Sequence, residues 1–232
     1  MKLYLPGFLL LCLFMGTPTW GQTEETQPPS RPAILELLDD MRQGALIVRI
    51  PTNAKKIAAI QATIDRPNLS EAQRERLTEQ LESVQEETEK FYQDVRASFL
   101  TFYSWSEIYF IPDYAVAAYL KGQTKGQFLN EQMQQDPGIV LQEDQHWFAV
   151  VSNPTDPTGS IYKSIIIKDQ NWETLNPPFP HTKENLGTKI RIVFTLADEV
   201  GEWAPVVNKF QERIEKIYTK YQEKYTEGKD LP

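Results

Sequence analysis

The chain has 232 residues, a formal net charge of −8 and a single cysteine, Cys12. That length supports one domain with a substantial core, or two small ones. The acidic balance argues against nucleic acid as a partner.

The chain opens with "MKLYLPGFLLLCLFMGTPTWGQ". Lys2 forms a short basic start. Leu3 to Met15 is an apolar run of signal-peptide length, short for a bilayer span. Thr19 and Gly21 are small enough to flank a cleavage point, so residues 1–21 read as a signal peptide. The alternative is a membrane anchor. Cleavage after Gly21 removes Cys12 and leaves no disulfide, thiol nucleophile or cysteine metal ligand. It also leaves no stable membrane span, and the mature chain is expected in the periplasm or outside the cell. Residues 22–32, with three prolines, read as a spacer. A single domain is expected over 33–226, followed by a tail at 227–232.

"AILELLDDMRQG" predicts a short helix with Ile34, Leu37, Leu38 and Met41 on one face and Gly44 as its stop. "ALIVRI" is almost wholly apolar, as a central strand requires. Two helices follow Pro51. The first covers about Asn53 to Asp65, broken by Pro67. The second starts at Ser70, with Gln73 completing a capping box. It carries Leu77, Leu81, Val84, Thr88, Phe91 and Val95 at heptad spacing. The pair predicts an antiparallel helical hairpin over 53–99, between the first two strands.

"SWSEIYFIPD" predicts the second strand and "YAVAAYLKG" a short helix. "GIVLQ" and "HWFAVVSN" read as a hairpin of strands. "PTDPTGS" is a loop, "IYKSIIIKD" a strand, and residues 170–187 irregular. "KIRIVFTL" predicts the last strand, and a final helix runs from about Trp203 to Tyr225. The expected fold class is α/β. Its sheet is mixed and partly parallel, flanked by helices.

The candidate site lies in "RIPTNAKK". At the carboxyl end of a parallel strand, Arg49, Thr52, Asn53, Lys55 and Lys56 surround a helix start, where an anion is favoured. Asp113, ending the second strand, is expected beside them as a general base, metal ligand or ion-pair partner. Thr52, Asn53 and Asp113 are equally good ordinary helix caps. The turn has no glycine, so it is not expected to wrap a phosphate. His146 and His181 lack metal-ligand spacing, and no metal or other cofactor is indicated. His146 reads as a plain strand residue. Glu107, Asp113, Glu143 and Asp144 supply carboxylates for glycoside cleavage, with nothing in the sequence to pair them. The aromatic stretch "FLTFYSWSEIYF" suits a core, a sugar-stacking face or a partner surface.

At "GALIVRIPTNAKKIAAIQ", "SEIYFIPD" and "NPPFPHTKENL" the chain resembles a group of uncharacterised exported bacterial proteins. The resemblance spans most of the mature chain. It implies an exported domain without a known activity and carries no functional residue across. Three functions are then open. The first is a non-enzymatic binding or interaction protein of the cell envelope, contacting an envelope partner by hairpin or aromatic edge. The second is a small-ligand or anion-binding protein, or a hydrolase-type enzyme, using the sheet's carboxyl edge. The third is a structural envelope protein that self-associates through the hairpin.

Overall fold

The computed structural model describes residues 31–153, 162–179, 182–185 and 200–226. The leader, most of the spacer, His181, the predicted strand "KIRIVFTL" and the tail lie outside these residues. Helix α1 (Arg31–Gln43) leads into strand β1 (Ala45–Ile50). Helices α2 (Ala54–Ile64) and α3 (Glu71–Phe102) follow, then β2 (Glu107–Pro112) and the short α4 (Val116–Tyr119). Strands β3 (His146–Ser152), β4 (Tyr162–Lys168) and β5 (Thr182–Asn185) precede helix α5 (Ala204–Thr226).

The described strands form one sheet in the order β2-β1-β3-β4-β5. β1 runs parallel to both β2 and β3, whereas β3–β4 and β4–β5 are antiparallel. The sheet is therefore mixed and partly parallel. β1 is paired on both edges and covered on both faces, which explains its nearly unbroken apolar sequence. Alternate residues divide between two cores. Leu46, Val48, Ile50, Phe110, Trp147, Ala149, Ile165 and Ile167 face the helical layer, whose contributions include Leu38, Tyr92, Phe99 and Phe210. Ile47, Ile111 and Phe148 face a smaller core with Val116, Tyr119 and Phe128.

The hairpin between β1 and β2 is present. Ser70 and Gln73 form the capping box that starts α3. The two arms are antiparallel, because Asn53 bonds Thr88 at one end while Arg74 bonds the Ile64 carbonyl at the other. At about 1.5 Å per residue, α2 covers only a third of the α3 length. The seam changes accordingly: Val84, Thr88 and Val95 are buried, while Leu77 and Leu81 are half-buried. The final turns of α3 leave the hairpin and pack on the sheet through Tyr92, Val95 and Phe99. Tyr92 donates its hydroxyl to the Asn130 carbonyl at 2.6 Å, and burial pushes its pKa up to about 12.

Two expectations need correction. Residues 138–142 form no strand; Ile139 and Leu141 instead pad the smaller core, and β3 takes β1 and β4 as partners. β5 lies inside the stretch expected to be irregular, where "TKEN" carries no strand-like composition and is ordered by pairing with β4. Of the readings open for the aromatic stretch, core is the one the fold realises: Phe99, Tyr103, Trp105 and Phe110 are all buried.

α5 is fastened by a buried lysine. Lys163 is 4% exposed, and its Nζ lies 2.7 Å from Glu202 Oε2 and 6.0 Å from the Trp203 ring centre. The Lys163 hydrogen bond is the chief cause holding the Glu202 carboxyl below the usual carboxylate range. A lowered acid stabilises the fold above its unfolded pKa and loses that contribution as pH falls through its folded value. Glu202→Gln is expected to cost about 1 kcal/mol at neutral pH, because Glu202 is solvent-exposed while Lys163 is buried. Urea titrations should show the difference from wild type shrinking below about pH 4; a difference constant down to pH 2 would contradict the pairing.

Candidate functional site

The carboxyl ends of β1 and β2 lie side by side, with Ile50 opposite Pro112. The ladder extends one step beyond the prolines, where Asp113 N–H donates to the Ile50 carbonyl at 2.8 Å. This fixes the Asp113 carboxylate over the β1–α2 turn. Its Oδ1 accepts from the Thr52 hydroxyl at 2.6 Å and from the Thr52 N–H at 3.2 Å. Its Oδ2 faces Arg49 Nη2 at 3.7 Å, a loose ion pair with both side chains about one-quarter exposed. Asp113 is thus a staple between parallel strand ends. It does not cap α4, whose start at Ala115 has no side-chain cap.

Asn53 also departs from its expected role. It precedes α2 but makes no side-chain cap. Its φ of 53° and ψ of 17° are left-handed, a conformation that asparagine tolerates better than most residues. A left-handed turn is therefore made here without glycine, by asparagine. Its side-chain amide donates instead to Thr88 Oγ1 at 2.8 Å, tying the turn to α3. The start of α2 is left with no capping side chain, and its first-turn N–H groups keep their attraction for negative charge.

Arg49, Asn53, Lys55, Lys56 and Asp113 together line one pocket of about 570 Å³, with Tyr114 and Ala117 as further walls. Thr52 is the one candidate that does not. It is buried below and lines a neighbouring groove of about 750 Å³ between the hairpin and residues 129–133. Lys55 and Lys56 are exposed, and neither makes a hydrogen bond or ion pair with the described residues. Three cationic side chains face one carboxylate in the pocket lining, a positive spot on a chain of net charge −8.

Sequence reasoning missed Tyr114 and the groove. Tyr114 is 55% exposed and stands in the lining of both cavities. A large aromatic immediately after the strand-ending Asp113 was the available signal.

The other candidates do not join this site. Glu107 starts β2 and Asp113 follows its end, so their six-residue separation is about 20 Å of strand. Glu143 and Asp144 precede β3 at the same amino edge as Glu107. No carboxylate pair forms with Asp113. His146 packs edge-on to Tyr119 and Phe148, with ring centres 5.4 Å and 5.6 Å away. Burial lowers its pKa, keeping the ring neutral, as a packed strand histidine requires. Among the described residues no group of three or more His, Cys, Asp or Glu side chains is placed to hold a metal ion. No helix among them is long and apolar enough to cross a membrane.

No family model, curated protein or solved structure matches the chain.

Proposed function

We propose that this chain is an exported, non-enzymatic binding protein of the cell envelope that takes a small acidic ligand at the carboxyl edge of its sheet. One observation carries the reading: Arg49, Lys55 and Lys56 converge on a single pocket. The free lysines supply point charges, and the uncapped start of α2 adds backbone N–H groups. Arg49 reaches the same pocket from β1, held only loosely by Asp113.

The same geometry argues for binding rather than hydrolysis. A general base must be free to take a proton. Asp113 already accepts two hydrogen bonds from Thr52 and faces Arg49. It orders the turn, so its role is to position the pocket. Export fits the leader-like start and the resemblance to exported bacterial proteins.

Acetate and inorganic phosphate are suitable probes because each is little more than the acidic group. Titration calorimetry should detect binding of at least one. The double variant Lys55→Glu, Lys56→Glu is expected to lose more than tenfold in affinity with no fall in the unfolding midpoint, since both side chains are exposed and negative charge is favoured in the first turn of α2. Raised salt should weaken wild-type binding. Equal affinity in the double variant would refute the site.

A further inference from the structure

We infer that the acidic group enters this pocket as the carboxylate of a larger ligand, an N-acylated amino acid with an apolar side chain; this inference rests on the binding reading above. The neighbouring groove is the reason. Its volume of about 750 Å³ and the pocket's 570 Å³ each fall in the range of small-molecule sites. Ala54 and Tyr114 line both, so the two cavities meet at one shared wall.

The groove's chemistry differs from the pocket's. Among the described residues its lining holds no cation, and Glu89 is the one charged side chain. A negative end is therefore repelled from the groove and drawn to Arg49, Lys55 and Lys56, which fixes the ligand's direction. Ile57, Ala58, Leu129 and Met133 offer apolar surface. Gln85 and Gln132 add side-chain amides that donate and accept, matching an amide link. Thr52 and Thr88 are buried in the lining, with their hydroxyl protons already given to Asp113 and the Val84 carbonyl. Their remaining contribution is largely methyl surface. Cations in the pocket, with side-chain amides and apolar walls in the adjoining groove, match an N-acylated apolar amino acid.

Calorimetry with acetate, N-acetyl-leucine and N-acetyl-leucine amide tests this on the full chain. N-Acetyl-leucine is expected to bind at least tenfold more tightly than acetate, and the amide at least tenfold more weakly than the acid. Ala58→Trp fills the groove from an exposed helix position and should erase the advantage while leaving acetate affinity unchanged. Gln85→Glu, which adds a second carboxylate there, should do the same if the tryptophan variant does not fold. Acetate binding with no advantage for N-acetyl-leucine overturns this inference alone. An amide that binds as well as the acid also overturns it, because the groove would then act without the pocket. Failure of both acids to bind overturns the inference together with the reading beneath it.

Discussion

Replacing Trp203 by alanine is expected to remove about 3–5 kcal/mol of stability, the usual cost of deleting a large buried aromatic. Trp203 is 1% exposed and sits where α5 meets α3 and β4. Its ring meets Phe91 edge-on at 5.5 Å, and Lys163 lies over its face. Its backbone is held as well: Asp94 Oδ1 accepts from the Trp203 N–H at 3.1 Å, and Asp94 Oδ2 from the Glu202 N–H at 3.0 Å. This double anchor keeps the α5 start in place, so the surroundings collapse poorly into the cavity. Domain stabilities are commonly about 5–15 kcal/mol. The variant should therefore unfold at much lower urea concentration, and a loss below about 1 kcal/mol would contradict the packing described.

The second large effect is expected at Gly44, between α1 and β1. Its backbone needs no glycine-specific dihedral; the limit is space. A β-carbon there would lie 2.5 Å from the Gln145 carbonyl oxygen, 2.8 Å from the Trp147 ring and 3.0 Å from the Asp40 carbonyl oxygen. Both carbonyls are already bonded, one to Ala45 N–H and the other to Gly44 N–H. Neither can retreat without lengthening a hydrogen bond at the start of β1. Gly44→Ala is expected to destabilise by about 1–3 kcal/mol. Elsewhere Gly→Ala often stabilises by about 0.4–1 kcal/mol through the unfolded chain. The sign alone is diagnostic, and a raised melting temperature would show that this junction is looser than drawn.

Much of the fold was legible because its signals are local. "ALIVRI" announces a strand covered on both faces, and the capping box at Ser70 with the spacing from Leu77 to Val95 announces the long helix. The illegible parts depend on partners far away in sequence. "GIVLQ" has strand composition but finds no open edge on its expected partner, since β1 and β4 flank β3. "TKEN" has little strand composition yet pairs with β4. The heptad seam was visible, and the greater length of the second helix already sent Val95 and Phe99 to the sheet; not visible was that α2 would leave Leu77 and Leu81 only half-buried.

The candidate site divides in the same way. Parallel β1 and β2 bring Asp113 beside Arg49, as the strand pattern implied. The local roles differ, because tertiary partners claimed the polar side chains. Thr88 takes the Asn53 amide, and Thr52 takes the Asp113 carboxylate. Three residues that sequence alone allows as caps became cross-links, leaving the start of α2 uncapped beside two free lysines. The groove was invisible because its walls come from α2, α3 and the 129–133 segment, which no single stretch of sequence joins.

The central claim is that small acids bind where β1 turns into α2. An acetate and phosphate titration followed by backbone amide NMR of the protein tests it most directly. The expected result is saturable shifts concentrated at Ala54, Lys55, Lys56 and Ile57, with smaller ones at Asp113 and Tyr114. No saturable shift, or shifts that gather at a different face while these amides stay fixed, would contradict it.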